Sequence, residues 1–202
     1  MNKSPKIILL NAPPRAGKDT AAAQLMLRQD DFRKLGYEPS VYKFALPLKN
    51  ATHALFGLDC PPDAFEKSKD IVSPVFMGLS PRQAYIKVSE EMVKPVIGID
   101  FFGQIACNVL RDLSLIGKDG RNLCFIISDC GFATEVFPLM AEFDEENILV
   151  VHIHRENCDF KNDSRDWLFP PNTRCVAIEN NKTVKDLGDT VWKEVSKFLT
   201  RS

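Results

Sequence analysis

Residues 6–29, KIILLNAPPRAGKDTAAAQLMLRQ, constrain this chain more than any other stretch, because a buried strand, a Pro/Gly break and a helix start follow one another without a gap. Ile7-Ile8-Leu9-Leu10 is a continuous β-favouring apolar run, as expected of a strand covered on both faces of a parallel sheet. Asn11 to Ala16 break that pattern. Gly17-Lys18-Asp19-Thr20 then open a helix whose Ala21, Ala22, Ala23, Leu25 and Met26 suit close packing on the sheet. The first turn of such a helix carries unpaired N–H groups at the positive end of its dipole, a combination that attracts phosphate. Lys18 adds a full charge where β- and γ-phosphates would lie, and a hydroxyl just beyond it can reach Mg²⁺.

The spacing approaches the phosphate-loop pattern G-x-x-x-x-G-K-[ST], with two departures. Ala12 stands where the first Gly belongs, and Asp19 where the metal-binding hydroxyl belongs, Thr20 following one place later. Pro14, Arg15, Ala16, Gly17, Lys18, Asp19 and Thr20 are therefore the candidate ATP-binding residues, with Lys18 as phosphate clamp and Thr20 as the magnesium ligand.

A chain of 202 residues, 45% of them hydrophobic, can bury one sizeable core, and one domain spanning 1–202 with an inserted lid fits better than two domains. A formal net charge of −1 supplies no global basic field for nucleic acid or an anionic membrane. The six cysteines form no C-x-x-C pair, and several lie in apolar stretches, which reads as free thiols in a reducing compartment. No segment reads as a signal peptide or a membrane span, so the expected location is the cytoplasm, of a cell or of an infected host.

Ser40–Ala45 alternates as a strand, and Pro47 starts a helix carrying Lys49 near its beginning. Residues 57–79 have little periodicity and several prolines. Ser80-Pro81-Arg82-Gln83 is a capping-box helix start, and that helix is expected to end before Pro95, with Arg82 and Lys94 near its two ends. Asp100 caps a helix from Phe101 to about Leu113, in which Phe101 and Phe102 read as packing residues; Gly117, Asp119 and Gly120 form a turn; and Leu123–Ile127 is a second buried strand ending at Ser128-Asp129. An acid at the carboxyl end of a buried parallel strand shares an edge with the phosphate loop, so Asp129 can orient Mg²⁺ or accept a proton, or it simply caps a helix. Glu135 lies on the next helix and stands behind it. A third strand, Ile148–Ile153, carries His152 and, just beyond, His154 on the same face; Arg155 to Arg165 is a polar loop with arginines at both ends, suited to close over a triphosphate. A last strand, Arg174–Ile178, leads through Asn180-Asn181 to a helix capped by Thr183 and Asp186. Strands and helices alternating in this way imply an α/β fold with a parallel sheet between two helical layers.

Taken together, APPRAGKDT (12–20), FALPLK (44–49), SPRQ (80–83), the strand end SD (128–129), HREN…DSR (154–165) and IENN (178–181) resemble the P-loop deoxynucleoside monophosphate kinases of tailed bacteriophages and their relatives. The resemblance implies a P-loop NTPase of the nucleoside monophosphate kinase type, with an acceptor-binding helical region at about 46–115 and a lid at about 155–170. It implies catalytic roles for Lys18, Asp129, Arg155 and Arg165, metal binding by Thr20 and Asp129, an adenine-side role for Asn180, and acceptor binding by Lys49, Arg82 and Lys94. ATP is the co-substrate, Mg²⁺ the cofactor and a nucleotide the acceptor. One departure matters: this chain has Gly131 where the family tends to place an arginine two residues after the strand-end aspartate. Related phage kinases that phosphorylate 5-hydroxymethyluracil in DNA supply an alternative, with Asp129 or Asp19 as general base; a non-catalytic nucleotide-binding protein is a third reading. No membrane partner is implied, and oligomeric state is not legible.

Overall fold

In the computed structural model, residues 4–116, 121–161 and 163–200 are described. The turn expected at Gly117, Asp119 and Gly120 lies outside them. Five strands form one wholly parallel sheet: β1 (Lys6–Asn11), β2 (Tyr37–Tyr42), β3 (Asn122–Ile127), β4 (Ile148–His154) and β5 (Arg174–Glu179), in the order β2-β3-β1-β4-β5. Ile7, Ile8, Leu9 and Leu10 in the central strand are fully buried, as their unbroken apolar run requires.

Alternate residues of β1 feed two cores. Ile8 and Leu10 pack with α1 (Lys18–Met26), α2 (Gln29–Lys34) and α8 (Val184–Leu199), whereas Ile7 and Leu9 pack with α6 (Phe101–Ile116) and α7 (Ala133–Phe143). Helices thus cover both faces of the sheet, the three-layer α/β arrangement expected from the sequence. Cys107, Cys124 and Cys130 are buried within these cores, all six cysteines are free thiols, and burial pushes the Cys107 thiol up to about 11. No single helix among the described residues is long and apolar enough to cross a membrane.

Two boundaries differ from the sequence reading for identifiable reasons. β2 begins at Tyr37 and runs through Pro39; it is an edge strand paired only with β3, so an absent N–H can face away from the ladder. It stops at Tyr42 because the N–H groups of Phe44 and Ala45 donate to the two carboxylate oxygens of Asp129, each at 3.0 Å, and the chain turns there into α3 (Ala45–Leu55). Pro47 therefore lies inside the first turn of α3, where no intrahelical partner is needed for its nitrogen. The Ser80 capping box is present and opens α4 (Pro81–Lys87), but the helical path does not stop before Pro95. A π-helical turn, Val88–Val93, shifts the hydrogen-bond register and delivers Pro95 to the opening turn of α5 (Lys94–Ile97), a position that tolerates proline.

Candidate active site

The loop between β1 and α1 holds its shape by backbone conformation and by bracing from neighbours. Gly17 has φ +103°, and a Cβ on it would lie 2.4 Å from Asn180 Nδ2, so only glycine fits. Arg15 also has positive φ, at 65°. Backbone reversals of this kind form concave arrays of N–H groups that hold anions. The Asn180 amide donates to the Ala16 carbonyl at 2.8 Å, and its own N–H donates to the His154 carbonyl at 2.7 Å. Asn180 therefore braces the loop from the β5 side. Arg155 reaches the loop from the β4 side, its Nη1 donating to the Arg15 carbonyl at 3.1 Å.

Lys18, in the first turn of α1, is only 9% exposed. Burial lowers its pKa, with the Arg165 guanidinium adding to the effect, while Asp19 and Asp163 act in the opposite sense. Asp19 is mostly exposed; it accepts the Ser128 hydroxyl at 2.9 Å and faces the Lys43 ammonium at 3.5 Å. Thr20 follows, half-buried.

The segment from Asp163 to Leu168 separates from the rest of the expected lid. Asn11, fully buried at the end of β1, donates to the Asp166 carbonyl at 3.1 Å and to the Cys130 carbonyl at 3.4 Å, and accepts the Leu168 N–H at 3.0 Å. His152 Nε2 donates to the Leu168 carbonyl at 2.7 Å, Trp167 stacks on His154 with centroids 4.4 Å apart, and the Asp166 N–H donates to the Gly131 carbonyl at 3.1 Å. These bonds fasten Arg165 to the sheet edge, in contrast to exposed Arg155. A Cβ on Gly131 would lie 2.5–2.6 Å from Arg165 Cβ, Cγ and Cδ, so the stem of Arg165 occupies the volume that any side chain at 131 would need. Asp163 holds the guanidinium by two bonds, at 2.6 and 2.8 Å, and Arg165 in turn lowers the Asp163 pKa.

Arg165 enters a cavity of ≈ 150 Å³ at the carboxyl edge of the sheet, together with Lys94, Asp129, Glu135 and the rings of Phe44, Phe102 and Phe132. Burial raises the Asp129 pKa, opposed by the N–H groups of Ala45 and Phe44. Glu135, 6% exposed, is pushed up to about 8 by burial and by the nearby Asp129 charge. Lys94 pairs with Glu90 at 2.6 Å and lies 4.3 Å from the Phe132 ring centroid.

The structure thus brings Lys18, Asp129, Arg165 and Lys94 to one edge. Lys49 and Arg82 do not line this cavity: Lys49 pairs with Glu66 at 3.5 Å, and Arg82 with Asp70 at 2.5 Å. Sequence reasoning gave no role to Asn11, Ser128 or Asp163. A polar residue closing an apolar strand was the available signal for Asn11; nothing local marks Asp163 as the partner of Arg165.

No family model matches the chain, and no curated protein matches it. Among solved structures, it is similar to an unliganded sugar kinase from Janibacter sp. HTCC2649, at 9% identity and TM-score 0.50, over 98% of this chain and 99% of that one. It also aligns with thymidylate kinase from Candida albicans, at 11% identity and TM-score 0.38, over 97% and 94% of the two chains, a likeness too distant to carry weight. At such identities the similarity concerns the fold alone. A parallel five-stranded sheet with a Gly-Lys loop after its central strand, aligned over almost its full length with a kinase structure, has a kinase-like P-loop NTPase fold.

Proposed function

We propose that the chain is an ATP-dependent kinase that moves the γ-phosphoryl group to a deoxynucleoside monophosphate. The observation that carries this reading is the convergence of the braced Gly17-Lys18 loop and the Arg165 guanidinium beside a cavity able to take an acceptor. Phosphoryl transfer needs positioning and charge neutralisation more than covalent chemistry, and those are the properties assembled here. The loop N–H groups and Lys18 hold the β- and γ-phosphates. Arg165, fixed by Asp163 and Gly131, lies between that loop and the acceptor cavity, where transferring charge passes. Arg155, exposed and bonded to the Arg15 carbonyl, stands at the loop itself, where it can contact the phosphates that the loop holds. An acceptor oxygen forms the new bond to the γ-phosphorus as the bond to the β–γ bridging oxygen breaks, and ADP leaves.

Magnesium suits the residues present. Mg²⁺ retains waters and takes one or two protein groups alongside phosphate oxygens, so a half-buried Thr20 hydroxyl on the first turn of α1, with the exposed Asp19 carboxylate beside it, is a sufficient donor set. Thr20 would hold the ion directly and Asp19 or Asp129 would order its waters; when bound, it offsets phosphate charge.

One observation favours the DNA-base kinase as a second reading. Lys94 and Arg165 are already paired with Glu90 and Asp163, and Gly131 contributes no cation, which suits an uncharged hydroxyl acceptor better than a dianionic phosphate. Asp129, with its raised pKa, would then take the hydroxyl proton. Offering γ-labelled ATP with each deoxynucleoside monophosphate, and with duplex DNA with or without 5-hydroxymethyluracil, separates the two: label in diphosphates supports the first and excludes a DNA-only enzyme, and label in hydroxymethylated DNA alone overturns the first.

A further inference from the structure

The cavity at the sheet edge is lined by four charged side chains, and three of them are already engaged. The Asp129 carboxylate accepts two backbone N–H groups, Lys94 pairs with Glu90, and Arg165 is held by Asp163. Glu135 differs: its side chain has neither hydrogen bond nor ion pair among the described residues, although it is 94% buried, the complement of its 6% exposure, and lines the cavity. Its carboxylate oxygens are reached from the cavity and are not among the fully buried unpaired atoms of the described residues, so a molecule seated in the cavity can hydrogen-bond them. The remaining walls are mostly apolar: Phe44, Phe102, Phe132 and Leu48. A cavity near 150 Å³ with apolar walls is of a size to take one aromatic ring.

We propose that Glu135 is the recognition group of this cavity, hydrogen-bonding the polar edge of a planar heteroaromatic ring seated among Phe44, Phe102 and Phe132, so that the acceptor enters ring first and its phosphate does not occupy the cavity. The inference rests on this cavity being the acceptor side of the kinase proposed above. The carboxyl has the chemistry for such an edge: when protonated, it donates through its O–H and accepts through its C=O, matching an adjacent N–H and carbonyl on a pyrimidine-type ring. Its surroundings keep the proton on. Burial and the Asp129 and Glu90 charges raise its pKa to about 8, against Lys94 and Arg165, which face it with the opposite sign; Ser89 completes the polar lining. Below that value the neutral acid offers both groups; above it, the donor is lost and an anion faces the ring carbonyl.

The test is equilibrium binding by calorimetry, without turnover, of thymidine, N3-methylthymidine and 2-deoxyribose 5-phosphate to the full chain and to Glu135→Gln and Glu135→Leu, with thermal melts as a check that the variants fold. Thymidine should bind the native chain; Glu135→Leu and N3-methylation should each weaken binding by ~10-fold or more, and the two losses should not add. Raising the pH from 7 to 9 should weaken thymidine binding to the native chain and leave Glu135→Gln unchanged. The ring-free sugar phosphate should be indifferent to Glu135. Equal thymidine affinity in Glu135→Leu, full additivity with N3-methylation, or displacement of thymidine by the sugar phosphate overturns the proposal. Phosphoryl transfer with none of these effects leaves the kinase reading standing and removes this one; Glu135-dependent thymidine binding without transfer does the reverse.

Discussion

Replacing Gly131 by alanine should inactivate Arg165 without touching it. Gly131 does not have positive φ, so its backbone accepts an L residue and the consequence is steric. The added Cβ would lie 2.5 Å from Arg165 Cβ and 2.6 Å from Cγ and Cδ, against the ~3.5–4.0 Å of ordinary carbon contact. The obstructing atoms include the fixed base of the side chain, so a rotamer change at the tip cannot relieve the overlap and the arginine stem must leave. It then loses both bonds to Asp163. Hydrogen bonds to charged groups contribute ~1.5–3 kcal/mol each when buried, but these side chains are 19% and 14% exposed and the pair reforms partly elsewhere, so a net cost of about 1–3 kcal/mol in stability is expected. In catalysis the loss is that of a preorganised cation, on the order of 10²–10³ in turnover. Steady-state kinetics with ATP and the accepted substrate on Gly131→Ala, Arg165→Ala and the double variant measure it. Both single variants should lose similar turnover, and the double variant no more than either. Native turnover in Gly131→Ala, or losses that multiply in the double variant, would refute the reasoning.

Three further outcomes are expected. Lys18→Ala should lose orders of magnitude in turnover with little change in thermal midpoint, because burial already disfavours its charged form and relief of that cost offsets the packing lost with its stem; the paired activity and melting measurements decide it. Asn180→Ala removes the brace on the Ala16 carbonyl and should weaken ATP binding several-fold, with a smaller effect on acceptor KM, as read from nucleotide titration and acceptor saturation curves. The Glu135 contribution to ligand-free stability should fall as pH rises from about 4.5 to about 8, because unfolded Glu135 ionises near 4.5 whereas the folded group holds its proton to about 8; thermal melts of the native chain and Glu135→Gln should therefore diverge across that range, and identical slopes would remove the buried-acid assignment.

The sheet and its helices were legible because their signals are local. The Ile7–Leu10 run, the Ser80 and Thr183 capping boxes and the Gly17-Lys18 break act within a few residues of themselves, and each element forms where those residues place it. What was illegible depends on contacts across the chain. β2 ends early because Asp129, far along the sequence, caps α3; the same bonds give Asp129 a structural partner alongside any chemical one. Arg165 reads in sequence as the far end of a flexible loop, yet Asn11, His152 and Gly131 fasten its segment to the sheet. Gly131 reads as a missing cation, and its meaning appears only when the stem of Arg165 is found lying across it. Asn180 reads as an adenine-side residue, and the bond from its amide to the Ala16 carbonyl is one that no local pattern marks. Lys49 and Arg82 sit near helix starts as expected, and their acidic partners Glu66 and Asp70 come from the irregular stretch that periodicity could not resolve.

Single-turnover transfer separates a kinase from a passive nucleotide binder: protein in excess over γ-labelled ATP, with saturating Mg²⁺, pooled deoxynucleoside monophosphates and hydroxymethylated duplex DNA, for the native chain and Lys18→Ala in parallel. Label should leave ATP for an acceptor in the native reaction and remain in ATP in the variant. Label that stays in ATP in both shows no phosphoryl transfer, and label that passes to water equally in both shows hydrolysis independent of Lys18; either result would contradict a kinase.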